Sequence, residues 1–241
     1  LGQWQVQARE GAAHGVASVR DRLTRSGWDD FFSPNGTGAP LWASKRANAG
    51  AMLRQYRQAL DQVAGPRRAL EPQVFPSPLS LYSGFDWGAV ADTSDAVGVK
   101  LYTMHWPMIA RFWARDLVGT ADTGVLDTVT AAMAGLLGFC DDTAPDGATL
   151  HYPAPDTPHP VGARAQADKI RQARAAAGAT PIVPFAHSYG PVADVHQRAQ
   201  IALQASAEGP GARLWVNRYG YLSDAKLQNL ATLALPQVHA A

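Results

Sequence analysis

Side chains able to carry chemistry gather at five places along the 241-residue chain, each beside a short apolar run. The adjacent carboxylates Asp29 and Asp30 come first, with Asn35 just beyond them. Glu71 and Gln73 form the second set, and Lys100, Tyr102, His105 and Trp106 the third. His187 and Tyr189 follow, and then Asn217, Arg218 and Tyr219. Carboxylates, amides, imidazoles and aromatic planes together suit a neutral polyol. Ring faces stack on the C–H surface of a sugar, and polar tips bond its hydroxyls. A carboxylate turned inward among aromatics has to be paired or hydrogen-bonded, and it is then placed to meet a developing positive charge.

The elements that must position these residues read as strands alternating with helices. The expected strands are Trp28–Phe32, Ala69–Phe75, Ala96–Met104, Pro181–Ala186 and Arg213–Tyr219, rich in β-branched and aromatic residues and bounded by Pro, Gly and Ser. Apolar spacing predicts helices over Gln5–Arg25, Ser44–Val63, Gly162–Ala177, Ala193–Ala207 and Ser223–Ala234. Strand-helix alternation argues for βαβ units and a parallel sheet. The segment Trp106–Pro160 is too long for a bare connection. It holds two apolar helical pieces and then an acidic, Pro-rich stretch, and is expected to cap a site. Long βα loops beside short αβ loops are the asymmetry of a (β/α) barrel whose working loops share one face. A doubly wound sheet would carry a Gly-rich phosphate loop after a strand; neither GxGxxG nor a P-loop occurs.

The order of WDDFFSPNGTG, EPQVFPSPLSLYSGFDW, DAVGVKLYTMHW, IVPFAHSYGP and RLWVNRYGYL resembles the later half of glycoside-hydrolase-like TIM barrels, over about Gly27–Leu222. The resemblance implies an α/β, (β/α)8 TIM-barrel fold, incomplete at the N-terminus, in one domain over residues 1–241. The five strands would be the fourth to eighth, and the free edges would be covered by further N-terminal sequence or a partner chain. It implies a carbohydrate-active enzyme that hydrolyses glycosidic bonds with two carboxylates, acting on an oligo- or polysaccharide. Asp29 or Asp30 would be the nucleophile or electrostatic stabiliser, and Glu71 the acid/base. Asn35, Gln73, Lys100, Tyr102, His105, Trp106, His187, Tyr189, Asn217 and Arg218 would bind substrate. Many such hydrolases carry a Glu at the end of the seventh strand, where this chain reads Phe185-Ala186-His187-Ser188. The second carboxylate then falls to Glu71, to Asp142 or Asp146, or to sequence beyond this chain. Two alternatives follow: a barrel that binds saccharide without cleaving it, and a lyase or isomerase with Lys100 or His187 as base.

Composition narrows the classes. Formal net charge is +1 with no block of like charges, which speaks against electrostatic nucleic-acid binding. No apolar run approaches the ~18–20 residues of a membrane span. Seventeen of 21 basic residues are Arg, the mark of a GC-rich coding bias. The single Cys140 excludes an internal disulfide and a cysteine zinc site, and is expected as a helix-end thiol. His151, His159, Asp142, Asp146 and Asp156 are ligand types at irregular spacing that matches no metal pattern, so no metal and no cofactor are expected. Ser188 lacks a GxSxG elbow. Asp86 is expected to cap a helix. The chain opens on Leu within a helical pattern, which suggests the tail of something longer, and its compartment is not legible.

Overall fold

A computed structural model describes residues 1–141, 145–209 and 212–233. In chain order the elements are α1 (Gly2–Ala12), α2 (Val16–Arg25), α3 (Trp28–Phe31), α4 (Ala39–Asp61), β1 (Gln73–Val74), α5 (Leu79–Ser83), α6 (Trp87–Thr93), β2 (Val97–Leu101), α7 (Trp106–Val118), α8 (Thr123–Leu136), α9 (Ala163–Ala177), β3 (Ile182–His187), α10 (Val192–Ala207), β4 (Trp215–Asn217) and α11 (Asp224–Leu230). Single 3-10 turns lie at Thr103–His105, Gly147–Thr149 and Tyr219–Tyr221. The chain divides into two compact units. One comprises Leu1–Gly38 and Tyr102–Gln166, the other Ala39–Leu101 and Ala167–Ala241.

The first unit is helical. The expected single helix over Gln5–Arg25 is two, α1 and α2, broken at Gly15, whose φ of 90° lies in the region that favours glycine. The two pack closely at Gly11, where a Cβ would come within 2.8 Å of the Val19 Cα. The strand expected at Trp28–Phe32 is corrected to the short helix α3. Gly27, left-handed at φ 87°, turns the chain into it, and Asp29 and Asp30 then sit in a first helical turn, where carboxylates are stabilised. Aromatic packing decides the conformation. Trp28 is buried with its ring 5.1 Å from Trp4, 4.7 Å from Phe32 and 5.6 Å from Trp113. Helices α7 and α8 supply the remaining core, with Ala110, Ala114, Leu117, Val129 and Met133 buried.

The second unit holds one sheet of four parallel strands in chain order, β1-β2-β3-β4. The protein is thus mixed α/β, with four of the five expected strands present, β1, β2 and β4 shorter than expected and β3 shifted by one residue. One sheet face is sealed: Val74, Val97, Val99, Leu101, Ile182 and Ala186 are all buried. Burying side chains of this size is worth roughly 1.5–3 kcal/mol each, so this face anchors the sheet. Alternation sends Gly98 and Lys100 of β2, Val183, Phe185 and His187 of β3, and Trp215 and Asn217 of β4 to the opposite face.

Lys100 pairs in register with Phe185, and Phe185 with Trp215. Phe75, one residue beyond β1, extends the same row to the fourth strand, with its ring 5.2 Å from the Lys100 Nζ. The Phe185 and Trp215 rings stack at 5.7 Å and 11°. The Phe185 ring occupies space that only Gly98 leaves open, since a Cβ there would fall 2.3 Å from Phe185 Cε2. Gly98→Ala should therefore cost about 1–3 kcal/mol of stability by overpacking. Urea unfolding of Gly98→Ala, Phe185→Ala and the double variant checks this. The double variant is expected to lose less than the sum of the two, and strict additivity would show that the ring does not depend on the glycine.

Candidate functional site

The site residues expected from sequence fall into both units. In the first, Asp29 and Asp30 are exposed. Asp30 Oδ2 accepts the Thr37 amide at 3.0 Å, and hydrogen bonds from the Thr37 side chain and backbone hold its carboxyl below the usual carboxylate range. It closes the 33–37 turn around exposed Asn35. Asp29 lines an open hollow of about 430 Å³ with Arg20, Asp21, Thr24 and Gly135. Tyr102, His105 and Tyr152 form a half-exposed ladder of rings at 5.9 and 5.5 Å. Trp106, expected to touch substrate, is 1% exposed and stacks on Phe139 at 4.9 Å as a core residue.

The loop carboxylates and histidines of this unit are locally engaged. Asp146 Oδ1 caps the turn at Gly147–Thr149 by accepting the Ala148 amide at 3.0 Å. His159 is buried, with Nδ1 2.7 Å from the Thr103 hydroxyl. Asp142 lies outside the described residues. No group of three or more metal-ligating side chains occurs among the described residues. Burial pushes the Cys140 thiol above its ordinary range, which makes it a poor nucleophile.

In the second unit the two ends of the sheet differ in chemistry. The ends where strands begin are tied by ions. Asp95, just before β2, takes Arg57 at 3.3 Å, Arg67 at 3.1 Å and the Leu70 amide at 2.8 Å. Glu71, just before β1, is paired with Arg213, just before β4, at 2.8 Å. These residues precede the two edge strands, so the pair ties β1 to β4 at the starting ends of the sheet. Glu71 thus lies at the opposite end from the strand termini and is already engaged. Gln73, expected beside it, lies on the β1 edge and lines an apolar cavity of about 260 Å³ with Met52, Leu53, Tyr56, Pro72 and Phe85. Asp86 Oδ1 accepts the Gly88 amide at 3.1 Å and caps α6, as the sequence suggests.

The ends where strands finish are built from rings, hydroxyls and amines. His187, at the end of β3, is buried, and its Nδ1 accepts the Tyr189 amide at 3.0 Å. The neutral ring therefore carries its proton on Nε2, which makes that atom a donor. Tyr221 completes an aromatic corner, 5.9 Å from the His187 ring and 5.5 Å from Tyr189. The Ser188 hydroxyl lies 2.9 and 2.6 Å from the carbonyl oxygens of Asn217 and Arg218, which makes it a structural tie between β3 and β4. Asn217 Oδ1 accepts the Arg218 amide at 2.8 Å and supports a backbone at φ 72°, rare for a residue with a side chain. Lys226 Nζ donates to the carbonyls of Ser188 and Tyr221 at 2.8 and 2.9 Å, and burial lowers its pKa.

Sequence reasoning missed Lys169 of α9. It is 3% exposed, and its ammonium donates to the Ser77 carbonyl at 2.6 Å, in the turn that follows β1. Burial lowers its pKa to about 8, a shift that Asp168 opposes. Its polar neighbours in α9, Gln166 and Asp168, gave no signal in the sequence. The folded pKa lies below the ordinary lysine value, so the unfolded chain binds more protons between the two values and stability rises with pH there. The burial cost of the ammonium, roughly 3 kcal/mol, is present below about pH 8 and relieved above it. Urea unfolding of wild type and Lys169→Met from pH 7.5 to 10 should show wild type gaining up to about 1.4 kcal/mol per pH unit relative to the variant. A pH-independent difference would mean that the ammonium is solvated in the folded state.

No protein-family model matches this chain, no curated protein is significantly similar to it, and no solved structure matches it. No helix among the described residues is long and apolar enough to cross a membrane.

Proposed function

We propose that this chain is a carbohydrate-recognition protein of the (β/α)-barrel type, its four parallel strands being part of the closed set, which takes an oligosaccharide on the ring-bearing face of the sheet. The observation that carries this reading is the row Phe75, Lys100, Phe185, Trp215, which crosses all four strands. Trp215 is 52% exposed and Phe75 40% exposed, although both sit on an ordered sheet face. Rigid, stacked, accessible rings suit the C–H faces of sugars, and they lose little conformational freedom on binding. One row further on, His187 and Asn217 add polar character to the same face.

Hydrolysis by paired carboxylates is a narrower reading and needs more than these residues supply. Asp29 and Asp30 belong to the helical unit, and Glu71 is held by Arg213. The proposal therefore stops at recognition, the non-catalytic branch of the carbohydrate reading.

Isothermal titration of the whole chain against a panel of neutral and acidic oligosaccharides tests it. Binding of one class in the micromolar to millimolar range is expected, with at least a tenfold loss in Trp215→Ala, a surface substitution that should leave the circular dichroism spectrum unchanged. Absence of binding across the panel, or full affinity in Trp215→Ala, would overturn the assignment of the face.

A further inference from the structure

We infer that the saccharide taken by this face is a carboxylated one, a uronate-bearing chain, with Lys100 as the partner of the sugar carboxylate. The inference rests on the saccharide reading above and narrows it to a substrate class. Among the described residues Lys100 has no carboxylate partner; its ammonium lies over the Phe75 ring. Of the other cations near this face, Arg213 is held by Glu71, Lys226 by two carbonyls and Lys169 by the Ser77 carbonyl. Lys100 is half-buried between Phe75 and its register partner Phe185. The rings displace water around the ammonium, so an anion there gains more than at an open surface.

The spacing fits a sugar chain. Trp215 lies two strands from Lys100, about 10 Å away at the usual strand spacing. A pyranose stacked on Trp215 leaves its neighbour over Phe185, and a carboxylate on that neighbour's ring is within reach of the lysine. An ammonium is a compact point charge, which matches a singly charged carboxylate and does not need the planar fork of a guanidinium. Glu71, just before β1, is neutralised by its own ion pair and does not repel such a ligand.

The test is calorimetric titration of the whole chain with oligomers of galacturonate, glucuronate and mannuronate, each beside its methyl ester, whose carboxyl is uncharged. At least one uronate should bind tenfold or more tightly than its ester, with affinity that falls as salt rises. Lys100→Met should abolish that preference and Lys100→Arg should keep it, with thermal melts confirming that both variants fold. Equal affinity for acid and ester, preference retained in Lys100→Met, or binding confined to sulfated oligosaccharides would overturn the carboxylate inference. In each of those cases a loss of binding in Trp215→Ala would leave the saccharide platform standing. No binding of any oligosaccharide would remove both.

Discussion

The ring-bearing face of the sheet depends on an absence. Gly98 contributes no side chain at the centre of β2, and the Phe185 ring occupies the space a Cβ would need. That ring stacks nearly parallel to Trp215 and is the register neighbour of Lys100, whose ammonium lies over Phe75. Four residues from four strands thus share one layer. The opposite face allows no such freedom, because its Val, Ile, Leu and Ala side chains are sealed in the core. One face holds the sheet together, and the other is free to present chemistry.

The same division runs along the strands. Where they begin, carboxylates and guanidinium groups neutralise one another: Arg57 with Asp61 and Asp95, Arg67 with Asp95, Arg213 with Glu71. Where they end, backbone carbonyls are bound by Ser188, Lys226 and Lys169. Acids spent at one end are not available at the other. The finishing ends are therefore rich in donors and rings, a setting for binding hydroxyls or anions and a poor one for a carboxylate pair.

Much of this was legible in the sequence because period-two apolar patterning is a local signal. The run AVGVKLYTM places Lys100 opposite Val97, Val99 and Leu101, and the structure keeps that alternation. IVPFA and RLWVN likewise mark β3 and β4, though β3 runs one residue past its pattern and β4 covers only the last three residues of its own. Trp28–Phe32 failed because its aromatic composition resembles a strand, while the decisive facts were a left-handed Gly27 and ring contacts from Trp4 and Trp113, distant in sequence. Glu71 lies within the expected strand segment Ala69–Phe75, but the ladder begins two residues later at Gln73, so the carboxylate stands just before β1. Trp106 opens a helix whose inward face it joins, a matter of helical phase that the strand reading overrode.

Lys169 shows what such readings miss and why it bears on function. An isolated charge in a helix reads as solvent-facing, and only tertiary packing makes it a buried ammonium. A fold that needed stability alone would place an apolar residue there, since replacing buried ionic groups with well-packed apolar ones is commonly neutral or stabilising. The lysine instead holds the Ser77 carbonyl. That carbonyl sits in the turn directly after Phe75, so the cost fixes the backbone leading out of the aromatic row. Backbone hooks at β1, β3 and β4 all lie at the finishing ends, where the accessible rings are. The order of that rim is maintained by polar groups that are expensive to bury, as expected where geometry matters more than stability.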